Sequence, residues 1–239
     1  MKVIITSGAT MEHIDDVRFI TNMSTGGTGA VMADYFSSKG HLVTVLSATG
    51  SIRPKGSCEL HEFSDFRSLN ELLENLLRSA NFDVIIHAAA VSDYSIESVS
   101  AGEEILRPIE LKKINSDTEN ITISLKRNFK IIERLLSYSQ TGPRRGRPII
   151  VAFKLTNTAD AHERLQKIKK LFSSGAVDLV VHNDFRDLHK EAGPSLFTIY
   201  MTSGGEPHEK ARSIGRTALA ADLERITKTI MEVHDDSGS

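Results

Sequence analysis

Cysteine is scarce in this 239-residue sequence, as is any excess of one charge or any long apolar run. Because Cys58 is the only cysteine, the chain cannot form an internal disulfide framework or a zinc cluster built from its own thiolates. Cys58 opens the alternating segment Cys58–Phe63, where a lone cysteine is expected to pack and not to react. Disulfide-rich and cysteine-zinc classes are therefore excluded.

Charge of one sign is also missing, since 29 Lys and Arg residues face 31 Asp and Glu residues. A net charge of −2 gives no general field that would gather nucleic acid or an anionic membrane surface. No apolar run approaches the length of a membrane span, and Met1–Ser7 enters a strand without the apolar stretch of a signal peptide. We therefore expect a cytoplasmic protein without nucleic-acid or membrane partners.

Short apolar runs alternate with amphipathic segments, which is typical of a parallel sheet covered by helices. The predicted strands are Lys2–Ser7, His41–Ser47, Glu59–Phe63, Asp83–Ala88, Pro148–Phe153, Asp178–His182 and Leu196–Thr202. The predicted helices are Gly29–Ser38, Asp65–Ala80, Phe129–Tyr138, Asp160–Ser174 and Ile214–Val233. A turn at Ser203–Glu206 indicates an antiparallel edge. The expected fold is a Rossmann-like three-layer α/β fold with a mainly parallel sheet, in one domain of residues 1–239.

The region of about residues 95–125 interrupts this alternation. Ser95–Asp117 has much charge and glycine but little periodicity, whereas Asn120–Leu125 alternates strictly, as an exposed strand does. We interpret the region as an arm or flap that projects from the main fold. A second interruption, the basic run Thr141–Pro148, is interpreted as a solvated loop.

Twenty residues, Gly8–Gly27, follow the first strand before a helix begins, and we interpret them as one long loop. Loops of this length inside a compact domain are usually functional. This one contains Arg18 and Asn22 and closes on Ser24–Gly29, whose backbone amides can converge on an anion at a helix start. Guanidinium and amide groups beside such amides suit a substrate that carries both carboxylate and phosphate. The alternative is that the glycines only let the helix pack closely on the sheet.

Three later strand ends carry further candidate residues. In a doubly wound sheet, ligands bind beyond the carboxyl ends of the strands, so Ala89 and Ala90 leave room there and Asp93 supplies a carboxylate. That carboxylate can accept a hydrogen bond from a base or ribose, or help to hold a metal, although an aspartate also suits a plain turn. The next strand ends place Phe153, Lys154 and Asn183 at the same crevice. A lysine there can neutralise phosphate, and the phenylalanine ring can pack against a nucleotide base.

A dinucleotide site is disfavoured because two of its parts are missing. It needs a short Gly-x-Gly-x-x-Gly turn directly after the first strand and an acidic residue at the end of the second. Only Gly8 follows the first strand closely, and the second strand ends in Ser47-Ala48-Thr49-Gly50. An NAD(P)-dependent reductase is therefore the weaker alternative, and we expect neither NAD nor flavin.

The sequence resembles the phosphopantothenate–cysteine ligases, also called phosphopantothenoylcysteine synthetases. The matching segments, in the family's order, are Thr6–Thr10, Glu12, Ile14-Asp15, Val17–Gly26, Ala89–Tyr94, Lys113–Ser116, Phe153–Leu155 and Asp178–Asp184. With no flavin-binding decarboxylase before these segments, the chain looks like the single-function form and not the fused enzyme.

The resemblance implies a reaction of coenzyme A biosynthesis in which 4′-phosphopantothenate is joined to L-cysteine. It implies CTP as the nucleotide, with ATP used by eukaryotic relatives, and an acyl-nucleotide intermediate. Magnesium is implied as the companion of the triphosphate, with no protein ligands assigned. A homodimer is also implied, for which Ile121, Ile123 and Leu125 of the arm would offer an apolar face.

Carried over by residue, Asn22 matches the asparagine that handles the acyl-nucleotide, and Arg18 the nearby arginine. Lys113, or its neighbour Lys112, matches the lysine of a mobile flap that closes over the triphosphate. Nucleotide contacts are implied for Gly8, Ser24, Thr25, Gly26, Asp93 and Phe153. The sequence departs from the family at Gly27, where many members have lysine, at Phe129, where proline is common, and at His182, where alanine is common. A non-catalytic nucleotide-binding relative is therefore a third alternative.

Overall fold

A central eight-stranded sheet organises the molecule, in a computed structural model that describes residues 1–101, 104–106, 113–115, 117–140, 147–188 and 195–236. The strands are β1 Lys2–Ser7, β2 Met11–His13, β3 Phe19–Thr21, β4 Leu42–Ala48, β5 Glu59–Phe63, β6 Val84–His87, β7 Tyr94–Ala101, β8 Glu104–Leu106, β9 Ile121–Arg127, β10 Ile149–Thr156, β11 Leu179–Asp184, β12 Leu196–Ser203 and β13 Glu206–Ile214. The helices are α1 Gly27–Ser38, α2 Phe66–Ser79, α3 Leu135–Gln140, α4 Ala161–Phe172, α5 Phe185–Leu188 and α6 Arg216–Asp236.

The strand order of the central sheet is β13-β12-β11-β10-β6-β1-β4-β5. The strands from β11 to β5 are parallel, and β12 and β13 are antiparallel at one edge. The chain moves from β1 outward to β5 and then returns to β6 on the other side of β1. The order therefore reverses between β1 and β6, which is where doubly wound sheets bind ligands.

Helices cover both faces of this sheet because its strands are apolar on both sides. Ile4 and Ile5 of β1 point to opposite faces and are both fully buried. One face packs against α2, α3 and α4, and the other packs against α1 and α6. The predicted α/β fold with its antiparallel edge is confirmed. No helix in the described ranges is long and apolar enough to cross a membrane.

The arm is a separate three-stranded antiparallel sheet of order β8-β7-β9. Val99 and Ile114 form its small buried core, with Ile14, Ile96 and Ile123 packed around them. Ile123 is thus part of the arm's own core, whereas Ile121 and Leu125 are exposed. The arm lies close to the predicted bounds, but Lys112 falls outside the described residues, as does 141–146 of the basic run.

Two local predictions were wrong. The segment after β1 is not one irregular loop, since β2 and β3 pair within it as a short antiparallel hairpin. The helix predicted at Phe129–Tyr138 begins later, as a 3₁₀ turn at Ile131–Glu133 followed by α3. The Phe129 ring packs edge-on against Phe66, and the guanidinium of Arg134 lies over the Phe129 ring. Lys130 is extended. These contacts hold the chain out of a helix before residue 131.

Candidate active site at the switch point

Backbone hydrogen bonds join the segments that follow β1 and β6. The Ala90 N–H donates to the Gly8 carbonyl at 2.8 Å, and the Thr10 N–H donates to the Ala90 carbonyl at 3.3 Å. The two segments therefore stay paired beyond the strand ends. This pairing brings the predicted residues Gly8 and Ala90 together at the switch point.

Threonine hydroxyls fix the path of the chain after β6. Thr6 Oγ1 accepts the Ala89 N–H at 3.1 Å, and Thr10 Oγ1 accepts the Ser92 N–H at 2.9 Å. Thr6 Oγ1 also lies 3.0 Å from Nδ1 of His87, whose burial lowers its pKa to about 4. A neutral His87 can accept the Thr6 hydroxyl proton, which leaves the Thr6 oxygen free to hold Ala89. The only sign of these hydroxyls in the sequence is their place in the matching segments.

Asn22 is attached to this same segment. Its Nδ2 donates to the Val91 carbonyl at 3.2 Å and contacts the Ala90 carbonyl at 3.5 Å. Both contacts use the amide nitrogen, so the side-chain oxygen of Asn22 is directed away from these carbonyls. The asparagine therefore lies at the switch point, and its side chain is exposed.

A cleft of about 280 Å³ opens beside Asn22. It lies between the hairpin, the segment after β6 and the arm, and its lining residues are Glu12, Ile20, Asn22, Ser92, Asp93, Tyr94 and Leu125. Asn22 and Asp93, both predicted site residues, are thus brought to one cavity. Its volume is slightly below the range of 300–1,000 Å³ that is typical of small-molecule sites.

Lysines lie around Asp93. Lys130 forms an ion pair with Asp93, and both side chains are about half exposed. Burial, and then the nearby charges of Lys130 and Lys167, lower the pKa of Lys154, whereas Asp93 acts in the opposite direction. A positive cluster therefore borders the carboxylate. Sequence reasoning missed Lys130, because a single exposed lysine carries no local signal of a partner 37 residues away.

Glu12 is a second residue that sequence reasoning left out of the site. It lines the cleft, is only 6% exposed, and accepts the Phe66 N–H at 3.1 Å. Burial raises the pKa of Glu12 in spite of hydrogen bonds from Ser95 and Phe66. Its presence in the matching segments was the available signal.

Arg18 and Lys113 lie together but away from this cleft. The Arg18 guanidinium is 3.4 Å from Asp15 Oδ2 and 3.4 Å from the Ile114 carbonyl, so it contacts the arm. Lys113 immediately precedes Ile114 and is exposed. Neither of the two residues lines the cleft that contains Asn22.

Ser24, Thr25 and Gly26 lead into the first turn of α1. Ser24 and Thr25 are exposed, and Gly26 is the N-cap residue with φ of 75° and no side-chain cap. The Ser7 hydroxyl donates to the Gly26 carbonyl at 2.8 Å. A Cβ on Gly29 would lie 2.4 Å from the Ser7 hydroxyl oxygen, so a larger residue does not fit there. The close-packing role of the glycines is therefore real. The Gly27 N–H, the first amide of α1, donates to Thr25 Oγ1 at 3.4 Å.

Phe153 and Asn183 are less directly placed. The Phe153 side chain packs against the apolar face covered by α1 and α6, whereas Asn183 is half-buried near the end of β11. Lys154 points to the opposite face from Phe153, since successive residues of a strand alternate. Of these three residues, only Lys154 is electrostatically linked to Asp93.

The unusual His182 belongs to a buried polar chain at the ends of β10 and β11. Thr156 Oγ1 donates to Asp184 Oδ2 at 2.7 Å and lies 2.8 Å from His182 Nε2. Because the hydroxyl has one proton, His182 Nε2 must donate to Thr156. Burial, with the charge of Arg164, lowers the pKa of His182 to about 4. Asp184 also accepts hydrogen bonds from Arg186, which lower its pKa.

Comparisons with known proteins identify the family. Residues 1–230 match the model of the DNA/pantothenate metabolism flavoprotein C-terminal domain. The coenzyme A biosynthesis bifunctional protein CoaBC of Methanocaldococcus jannaschii is 29% identical over 184 residues, which are 77% of this chain and 40% of that protein. The chain thus spans less than half of that relative, and the flavin in the family's description belongs to the N-terminal part of CoaBC.

Solved structures share the fold. The DNA/pantothenate metabolism flavoprotein of Streptococcus pneumoniae has a TM-score of 0.77 at 22% identity, covering 96% of this chain and 99% of that one. A Cab2 mutant in complex with phosphopantothenate-cysteine has a TM-score of 0.67 at 18% identity, covering 98% and 88%. By the extent of the family match, this chain belongs to the DNA/pantothenate metabolism flavoprotein C-terminal domain family.

Proposed function

We propose that this chain is a phosphopantothenate–cysteine ligase of coenzyme A biosynthesis. The family and its CoaBC relatives support the substrate class, as does the Cab2 complex with phosphopantothenate-cysteine. The observation that carries the proposal is the placement of Asn22 on the carbonyls after β6, beside Asp93 and in one cleft. Asn22 and Asp93 come from separate segments of the chain, so it is the fold that brings them together.

The proposed reaction has two steps, because a carboxylate is a poor acylating agent at neutral pH. A carboxylate oxygen of 4′-phosphopantothenate attacks the α-phosphorus of the nucleoside triphosphate, and the bond to the β-phosphate oxygen breaks to release pyrophosphate. The cysteine amine then attacks the acyl carbon and loses a proton, while the acyl–oxygen bond breaks to release nucleoside monophosphate. Charge builds on oxygen in both steps, so fixed donors and cations supply most of the catalysis.

Asn22 acts in the second step in this proposal. Val91 and Ala90 hold its amide nitrogen, which orients the side-chain oxygen for a donor such as the cysteine amine. Ala89 and Ala90 leave space for the acyl group because their side chains are small. Arg18 neutralises a substrate anion with the guanidinium N–H groups that do not face Asp15 or the Ile114 carbonyl, since its side chain is 36% exposed.

The nucleotide occupies the mouth formed by the strand ends. Asp93 releases Lys130 and accepts a hydrogen bond from the ribose or the base instead. The release costs little because an exposed ion pair contributes little stability. Lys154 and Lys113 face the phosphates, with Gly8, Ser24, Thr25 and Gly26 supplying backbone donors near the start of α1. Phe153 and Asn183 complete the wall on the β10 and β11 side. CTP is the proposed nucleotide, with ATP as the alternative.

Magnesium fits this site as a companion of the triphosphate. Among the described side chains, no three of His, Cys, Asp and Glu come together as a metal site. Asp93 is the carboxylate that could contact the ion, and phosphate oxygens would complete its coordination. When bound, magnesium would neutralise charge on the phosphates.

The proposal also covers the oligomeric state of the chain and its location in the cell. We propose that the chain is a homodimer, because the arm and the β2–β3 hairpin expose apolar side chains that a second copy could cover. These are Phe19, Ile20, Tyr94, Ile105, Ile121 and Leu125. We also propose a cytoplasmic location, in keeping with the metabolic enzymes to which the chain is similar.

The direct test measures pyrophosphate release from purified chain with 4′-phosphopantothenate and either CTP or ATP. Release should require phosphopantothenate, and added L-cysteine should give nucleoside monophosphate and phosphopantothenoylcysteine in equal amounts. L-Serine in place of cysteine is the control for amine specificity. Failure to form nucleoside monophosphate with either nucleotide would reject the ligase assignment.

A further inference from the structure

The carboxylate of Asp15 is buried at the contact between the post-β1 segment and the arm. Its side chain has no exposed surface, although aspartate is among the residues least often buried. One oxygen accepts the backbone N–H groups of Val17 at 2.8 Å and Arg18 at 2.7 Å. The other accepts the Ile114 N–H at 3.1 Å, across 99 residues of sequence.

Arg18 completes a clamp around the Ile114 backbone. Its Nη1 lies 3.4 Å from Asp15 Oδ2, and its Nη2 lies 3.4 Å from the Ile114 carbonyl. The Ile114 N–H and C=O are therefore bound by two side chains of one turn. Lys113, whose side chain is exposed, directly precedes this bound residue.

Apolar packing of Ile114 and Ile14 in the core of the arm stabilises the clamp. Ile114 is 5% exposed and belongs to the arm's small core with Val99, and Ile14 packs against that core. Ile14 directly precedes Asp15, so one dipeptide supplies both the apolar and the polar contact. The Asp15 charge is compensated within this site: burial alone would raise its pKa, but hydrogen bonds from Val17, Ile114 and Arg18 bring it below its ordinary value.

We propose that Asp15 is a positioning residue that sets where Lys113 stands relative to the segment carrying Arg18 and Asn22. The inference rests on the proposed ligase function for its catalytic readout. Asp15 touches no substrate in this account. It acts by fixing the backbone of Ile114, and therefore the origin of the Lys113 side chain, and by holding the turn that leads to Arg18.

A double-mutant cycle tests this role. Asp15→Asn keeps the size of the side chain but removes the charge and one acceptor, and it should lower kcat about tenfold with a KM for cysteine within about twofold. In a Lys113→Ala background, the same change should lower kcat by less than about twofold, because there is no lysine left to position. Asp16→Asn, at the exposed neighbour, is the matched control and should leave kcat unchanged. An equal loss from Asp15→Asn in both backgrounds would overturn the proposal.

Amide exchange provides a readout that does not depend on activity. In wild-type protein labelled with ¹⁵N-isoleucine, the Ile114 amide should exchange slowly, and Asp15→Asn should speed it at least about tenfold while Ile4 and Ile5 stay protected. An Ile114 amide that exchanges like an unprotected one in the wild type would reject the clamp, even if Asp15→Asn fails to fold. A wild-type chain with a protected Ile114 amide but without ligase activity would instead reject the proposed function.

Discussion

At the residue scale, the site depends on side chains that act through the backbone of another segment. Asn22 is held by carbonyls after β6, and Thr6 and Thr10 hold the amides of that same segment. These hydrogen bonds replace the sheet ladder where it ends. The reactive groups are thus placed by ordered loops that a parallel sheet supports.

Removing the Asn22 side chain separates the two proposed steps. Asn22→Ala should lower amide formation at least about 100-fold, while pyrophosphate release without cysteine falls less than about threefold. The measurement follows pyrophosphate and phosphopantothenoylcysteine in the same reaction. Asn75→Ala, at an exposed position on α2, is the control and should match the parent. Coupling at the parental rate by Asn22→Ala would show that the role belongs elsewhere.

Sequence reasoning at this scale found the residues of continuous segments but not their partners. Asn22 and Asp93 were predicted and do share a cleft, because strand ends of a parallel sheet meet at one edge. Lys130 and the clamp between Asp15 and Ile114 were missed. Those contacts join residues 37 and 99 positions apart, and no local pattern encodes such a distance.

At the element scale, β10 and β11 are tied where they reach the site. The buried chain of His182, Thr156 and Asp184 joins their ends, and Arg186 closes it from the start of α5. A buried polar chain of this kind stabilises the fold only while each donor finds its acceptor. Burial keeps its histidine neutral at ordinary pH, since it lowers the pKa of His182 to about 4.

Acid should destabilise the protein through His182 and His87. Both have a pKa of about 4 in the folded chain against 6.5 ordinarily, so below pH 6.5 the unfolded state binds protons that the folded state does not. The free energy of unfolding is therefore highest above pH 6.5. It decreases by about 2 kcal/mol per histidine as the pH is lowered from 6.5 to 5.

The His182→Ala variant isolates one of these two contributions. Urea unfolding at pH 7 and pH 5 should show a loss of about 4 kcal/mol in the parent and about 2 kcal/mol in the variant. His208→Ala, on the exposed strand β13, is the control and should behave as the parent. A pH dependence that His182→Ala leaves unchanged would contradict the assignment of its neutral form.

Element prediction succeeded where the pattern of a strand was clear. The predicted bounds of β1 and β5 agree with the structure, since β1 holds the apolar run Val3–Ile5 and β5 follows the alternation of Cys58–Phe63. The strands β2 and β3 have three residues each, too short for a period to show. The helix start after Phe129 was missed because its position is set by ring contacts with Phe66 and Arg134.

At the scale of the whole molecule, the arm gives the chain a surface beyond its central sheet. Ile105 on β8 is 74% exposed, and other apolar side chains of the arm and hairpin are exposed with it. Exposed apolar patches of this kind mark sites of association. The homodimer is proposed from this surface.

A single charge should dissociate that dimer. Light scattering should give the parent twice the 26.3 kDa mass of one chain, and Ile105→Asp should give the monomer mass at micromolar concentration. Leu42→Asp is the matched control, since Leu42 is 70% exposed at the start of β4 in the central sheet. A parent protein with the monomer mass would reject the homodimer. A dimer that Leu42→Asp disrupts and Ile105→Asp does not would place the interface on the central sheet.

In our proposal, this chain activates a carboxylate as a nucleotidyl anhydride and passes it to an amine. Oxygen transfer is the decisive measurement: 4′-phosphopantothenate with ¹⁸O in both carboxylate oxygens is incubated with CTP and L-cysteine, and the products are analysed by mass spectrometry. We expect one ¹⁸O atom in each CMP released with phosphopantothenoylcysteine, and none in pyrophosphate. Label in inorganic phosphate, or amide formed with unlabelled CMP, would rule out the anhydride.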